Sequence, residues 1–136
     1  MSDERDAFGE ARSALQSHLG YNLTAWSAGQ AEVQLPLAPY LMNRAGIPHG
    51  GIYATLLDTA MGYAGCYTGD ETQKTYALTV SMTVNFLARP TGKRLIARAQ
   101  ETGGGRSLFF AEAQITDENG TEIARGSGAF KRKTAL

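Results

Sequence analysis

Apolar residues recur along this chain in two rhythms, helical spacing and alternation, and each predicts a different kind of element. Over Arg5 to Leu19, Phe8, Ala11, Leu15 and Leu19 fall at helical spacing and Gly20 follows as a stop, which predicts a short N-terminal amphipathic helix. From Asn22 to Leu37 the pattern turns to alternation around Ala28-Gly29, predicting one or two strands that end near Pro36. Residues 36 to 48 carry Pro36, Pro39, Asn43, Gly46 and Pro48 and read as a long irregular loop. Ile52 to Tyr67 lacks proline and places Ile52, Leu56, Leu57, Ala60, Met61 and Ala64 as the apolar positions of one long helix. Tyr76, Leu78, Val80, Met82, Val84 and Phe86 then alternate with polar or small residues in the cleanest strand of the chain. Further strands are predicted at Leu95 to Gln100, Leu108 to Thr116 and Ile123 to Phe130, joined through Gly103-Gly104-Gly105 and Asp117-Glu118-Asn119-Gly120. The sum is an α+β fold with an antiparallel sheet of five or six strands. Because only one helix is apolar over most of its circumference, the economical packing wraps the sheet around it.

With 136 residues and 14.6 kDa, the chain is expected to be one domain spanning 1–136. Thirteen basic residues balance thirteen acidic ones, which argues against a nucleic-acid partner and leaves self-association unopposed. No apolar run approaches the roughly 18 residues of a membrane span. Met1 to Asp6 is acidic and polar, unlike a secretory signal, and a lone cysteine, Cys66, fits a reducing compartment, so a cytoplasmic protein is expected. The basic run Lys131, Arg132, Lys133 reads as a solvated end.

Asp58 is the anomaly, a carboxylate in the middle of an apolar helix, where an ionised group loses hydration. Helical projection puts Gly51, Ala54, Thr55, Met61, Gly62 and Gly65 on its side, a stripe of mostly small residues that lets a ligand or another backbone approach. Two readings follow: a carboxylate that reaches a bound molecule, or a buried one bonded to a neighbouring threonine or backbone group. His49-Gly50-Gly51 opens the same helix, where unpaired N–H groups and the positive dipole end can stabilise a carbonyl oxygen gaining charge, or simply permit a tight turn. His49 itself can be a base, a ligand or a cap. Gly50 and Asp58 are eight residues apart, about 12 Å of helical rise, too far to touch one reacting group. If both act on one carbonyl, two copies of the helix must run antiparallel about a two-fold axis, so that chemistry requires a dimer. Thr79, on the polar side of the best strand with Ser81 and Thr83, can bond a carboxylate or water or simply face solvent. Cys66 reads as a packed thiol in preference to a nucleophile.

Asn43-x-x-Gly46-x-x-His49-Gly50-Gly51, followed after six residues by Asp58-x-x-x-Gly62, resembles the signature of hotdog-fold acyl-CoA thioesterases of the PaaI-like, phenylacetate-degradation type. Asn85 to Pro90, Gly105-Arg106-Ser107 and Asp117 to Gly120 are similar to the family's later strands and turns, so the likeness covers roughly residues 20 to 130. The resemblance implies a five- or six-stranded antiparallel sheet curled around the central helix, in dimers and commonly tetramers. It implies Asp58 as the catalytic carboxylate, acting as general base or nucleophile, and Gly50 as an N–H donor to the thioester oxygen. Asn43 and His49 would orient that loop and contact the acyl group from the opposite subunit. It also implies Thr79 near the water, and Gly51, Arg89 and Arg106 for binding substrate or coenzyme A. No metal and no cofactor are implied. The alternatives are a dehydratase, whose histidine and carboxylate patterns differ from this one, and a non-catalytic acyl-CoA-binding or regulatory module. Tyr53, Met61, Tyr63 and Tyr67 suit an aromatic or medium apolar acyl group, or serve as core.

Overall fold

The apolar run after Gly50 forms the one long helix, and the remaining elements are arranged around it. A computed structural model describes residues 5–134, and the first four residues of the acidic start lie outside it. The elements are α1 (Ala14–Leu19), β1 (Asn22–Ser27), β2 (Gln30–Pro36), a 3-10 turn (Pro39–Leu41), α2 (Gly50–Ala64), β3 (Thr75–Phe86), β4 (Arg94–Gly104), β5 (Leu108–Asp117) and β6 (Glu122–Thr134). The six strands form one antiparallel sheet in the order β1-β2-β4-β5-β6-β3, which leaves β3 at an edge.

The sheet face towards α2 is built from small residues at its centre and large ones at its flanks. Ala97, Ala99, Ala111, Ala113 and Ala124 are buried there, and Val33, Leu35, Leu95, Phe109, Ile115 and Phe130 close around them. Into this trough α2 buries Leu56, Leu57, Ala60, Met61 and Ala64, each large side chain contributing roughly 1.5–3 kcal/mol. Glycine gives room where helix and sheet cross: a Cβ on Gly126 would stand 3.3 Å from Leu57 Cδ1 and from the Thr83 carbonyl.

Local chemistry shortens the N-terminal helix predicted over Arg5 to Leu19 to Ala14–Leu19. The Asp6 carboxylate accepts the N–H groups of Phe8 and Glu10, Gly9 takes a left-handed φ of 76°, and Arg5 bridges to Ala11, so residues 5–11 form a closed turn. Ser13 and Gln16 then start the helix with a reciprocal capping box. The long helix stops at Ala64 instead of Tyr67; its C-cap is Gly65, where a Cβ would collide with the Phe109 ring at 2.1 Å. The predicted Gly103 turn is still strand: β4 runs to Gly104. Arg132 is not a solvated end. It lies in β6 with its guanidinium 4.5 Å from the Phe109 ring centroid, donating to the Gly65 and Gly105 carbonyls and pairing with Glu101 at 3.0 Å.

Candidate active site

Asp58 sits half-buried midway along α2, and its Oδ1 accepts a hydrogen bond from the Thr79 hydroxyl at 2.6 Å. One uninterrupted alternation along β3 would put Thr79 on the face opposite Met82 and Val84. The pairing of β3 with β6 shifts between Thr79 and Ser81, leaving Val80 as the extra residue of a bulge. Before the bulge Ala77 and Thr79 face α2; after it Met82, Val84 and Phe86 do. Leu78 and Val80, apolar positions of that alternation, are therefore 51% and 61% exposed. Of the stripe projected beside Asp58, Gly51, Ala54, Thr55 and Gly62 stay at least partly accessible, whereas Met61 and Gly65 belong to the core.

The helix start is shaped by the loop before it. Asn43 Oδ1 accepts the N–H groups of Ala45 and Ile47 at 2.8 and 3.3 Å, and Gly46 turns the chain at φ 77°. Met42 pairs with Pro48, and the His49 N–H donates to Leu41, which is buried. His49 is the N-cap: its Nδ1 accepts the Gly51 N–H at 2.9 Å, so this nitrogen carries no proton in the cap. No partner for the Gly50 N–H is found among the described residues. A Cβ on Gly50 would approach the Phe86 ring at 3.3 Å, so glycine keeps this corner slim.

Within one chain the structure brings Asp58 and Thr79 together, and Asn43, His49, Gly50 and Gly51 together, but not the two groups. They occupy the middle and the start of an unbroken helix, about 12 Å of rise apart. Arg89 is exposed beyond β3, and its charge acts on the Tyr53 hydroxyl one turn into α2, which puts it at the Gly50 end. Burial raises the Tyr53 phenol above its usual range against that pull, and its hydroxyl has no hydrogen-bond partner among the described residues. Arg106 lies in the β4–β5 turn, tied through Arg132 to Gly65 at the other end of the helix.

A cleft of about 450 Å³ opens beside Asp58 and Thr79 and runs between α2, the start of β3 and the N-terminal segment. Gly62, Ala77 and Phe130 line it together with Glu10 and Lys74, and Lys74 precedes Thr79 by five residues on the way into β3. Sequence reasoning missed Glu10 and Lys74, since no local pattern joins residues 64 positions apart. Tyr63 lines the cleft, whereas Tyr53 and Met61 are core and Tyr67 packs edge-on against Trp26. Burial pushes the Cys66 thiol up to about 11, which suits a packed residue and not a nucleophile. Among the described residues no cluster of three His, Cys, Asp or Glu side chains could hold a metal, and no helix is long and apolar enough to cross a membrane.

A six-stranded antiparallel sheet wrapped around one long helix is the hotdog fold. Residues 45–124 match the thioesterase superfamily, and the chain belongs to it. It is 33% identical over 126 residues to a protein of Halobacterium salinarum that bears a provisional esterase name, covering 86% of this chain and 83% of that one. A Bacillus halodurans protein whose structure was solved with CoA is similar at TM-score 0.77 and 28% identity, over 92% of this chain and 82% of the other. The fold is shared with the PaaI protein of the E. coli phenylacetic acid degradation operon, at TM-score 0.77 and 24% identity over 89% and 85% of the two chains. Hydrolysis of a thioester is the general activity of this superfamily.

Proposed function

We propose that this protein hydrolyses acyl-CoA thioesters to the free acid and coenzyme A, at a site completed by two copies of the chain. The observation that carries the reading is the Asp58 carboxylate, held by Thr79 through one oxygen, with no partner for the other among the described residues, in the lining of a cleft of acyl size. Water, or the Asp58 carboxylate itself, adds to the thioester carbon, the carbon–sulfur bond breaks, and coenzyme A leaves as the thiol once it has taken a proton. Asp58 assists either as general base towards that water or as the nucleophile whose acyl anhydride water then cleaves. The free Gly50 N–H at the positive end of α2 is the donor for the carbonyl oxygen as it gains charge. His49 and Asn43 hold that N–H in place through the capped start and the pinned loop.

Asp58 and Gly50 of one chain cannot meet on one carbonyl, so the reading needs a second copy antiparallel to the first. Support comes from β3, a twelve-residue edge strand with no charge and no proline between Thr75 and Phe86. Edges that stay free are normally blunted by such residues, so this one suits pairing with a second β3. The antiparallel copy would bring Arg106 of one chain towards the Gly50 and Arg89 end of the other, where phosphates of coenzyme A can be met. The relative solved with CoA supports coenzyme A as the thiol portion.

The test is release of free thiol from short, medium, long and aryl acyl-CoAs by the wild type and Asp58→Asn, with coenzyme A binding followed in parallel. Turnover that falls by about 10²- to 10⁴-fold in a folded Asp58→Asn protein is expected. Full activity in that variant removes Asp58 from the mechanism, and tight binding without turnover makes the protein an acyl-CoA-binding module. Single turnover in ¹⁸O-labelled water tests the covalent route: label in Asp58 marks an anhydride cleaved at the aspartyl carbonyl, and a general base never acquires it.

A further inference from the structure

The cleft beside Asp58 is not the only hollow along the N-terminal segment. A second one, of about 260 Å³, lies beyond it and includes Phe8, Trp26 and Tyr67 in its lining. Four residues line both hollows: Glu10, Cys66, Lys74 and Thr75. Between the two spaces Lys74 Nζ pairs with Glu10 Oε2 at 2.5 Å, with side chains only 26% and 12% exposed. Each partner is held from its own side. Glu10 closes the Asp6 turn through its backbone N–H and carbonyl, Phe8 of that turn packs edge-on against Trp26, and Lys74 directly precedes β3.

We propose that the Glu10–Lys74 ion pair is the end stop of the acyl pocket and determines how long an acyl chain the enzyme accepts. The inference rests on the thioesterase reading above, which sets the thioester carbon at Asp58 and sends the acyl chain into the adjoining cleft. A chain that fits the first hollow ends against the ion pair. A longer one must separate a pair of charges already largely withdrawn from water, or bury its methyl end against them, and both are unfavourable. Alanine at both positions removes the partition and joins the two hollows into one channel ending at Trp26.

The experiment compares kcat/KM across acyl-CoAs from hexanoyl to palmitoyl for the wild type, Glu10→Ala/Lys74→Ala, and the swapped pair Glu10→Lys/Lys74→Glu. In parallel, binding of hydrolysis-inert alkyl-CoA thioethers of the same lengths is measured by calorimetry and by fluorescence of Trp26, the only tryptophan of the chain. In the wild type, rate and affinity should fall beyond a sharp length limit and Trp26 emission should stay constant. In the double alanine variant the palmitoyl-to-hexanoyl ratio of kcat/KM should rise about tenfold or more, with hexanoyl turnover little changed, and long thioethers should perturb Trp26. The swapped pair restores the partition and should restore the limit. If the double variant fails to fold, Lys74→Ala alone gives the comparison, because Lys74 lines both hollows and its loss breaks the ion pair.

An unchanged length profile in folded variants that still hydrolyse hexanoyl-CoA overturns the end stop and leaves the thioesterase reading intact. A length limit in thioether binding without any hydrolysis overturns the thioesterase reading and keeps the end stop. Neither binding nor hydrolysis overturns both.

Discussion

Thr79 donates to Asp58 Oδ1 at 2.6 Å only because the bulge at Val80 changes which face of β3 meets the helix. The strand thereby turns a polar residue inward at one point of an otherwise apolar interface, opposite the one carboxylate of α2. A charge-assisted bond of this kind is roughly twice as strong as a neutral one, so it fixes the carboxylate in one rotamer.

On that geometry Thr79 is a positioning residue. Thr79→Val should lower kcat by about ten- to a hundredfold, the cost of one hydrogen bond to a charged group, with little change in KM. Thr79→Ser should recover most of the loss. Steady-state kinetics on the best thioester checks this, and equal losses in the serine and valine variants count against a role for the hydroxyl.

The uncharged β3 edge leads to a prediction about assembly. Val80→Lys puts a charge at the most exposed apolar position of that edge and should hinder strand pairing between copies. Sedimentation should then find folded monomers, and thiol release should fall with the monomer fraction even though each chain keeps its own Asp58 and Thr79. A fully active monomer contradicts the shared site.

Asp117 governs acid stability through the turn that closes β5 and β6. Burial by itself would raise its carboxyl, but N–H groups of Thr91, Thr121 and Gly92 and the Thr91 hydroxyl outweigh this and hold it well below the usual range. A depressed folded-state pKa contributes stability that is present above the unfolded value near 3.9 and is lost as pH falls below it towards the folded value. Thermal melts should therefore show Asp117→Asn less stable than wild type at pH 7, by about 2–3 kcal/mol, with the gap narrowing below about pH 4.

Two glycines at the end of α2 should respond oppositely to alanine. A Cβ on Gly62 meets only Ala77 Cβ at 3.5 Å, so Gly62→Ala should be neutral or stabilising by up to about 1 kcal/mol through reduced unfolded-state entropy. A Cβ on Gly65 meets the Phe109 ring at 2.1 Å, and that ring is stacked on Phe130 and covered by Arg132, so it cannot yield. Gly65→Ala should cost about 1–3 kcal/mol in denaturant unfolding, by overpacking.

The features legible in the chain alone are local. Apolar spacing and the absence of proline define α2, and alternation bounded by glycine and proline defines the strands. Ala28-Gly29 and Asn119-Gly120 mark turns whose glycines take positive φ, at 74° and 81°. The motif from Asn43 to Gly62 was legible for the same reason, since its residues share one loop and one helix. Tertiary structure decided whatever depends on residues distant in the chain. The periodicity of Phe8, Ala11, Leu15 and Leu19 did not make one helix, because Asp6 and Gly9 bend the segment so that Phe8 reaches Trp26 and Glu10 reaches Lys74. The bulge that turns Thr79 to Asp58 has no sequence signal, since a twofold alternation cannot mark the residue at which pairing slips. Arg132 sits between two lysines in sequence, and only the fold stacks it on Phe109 and under the end of α2. Helical and strand periods follow from the geometry of a few successive residues, whereas these contacts depend on which surfaces the packed sheet brings together.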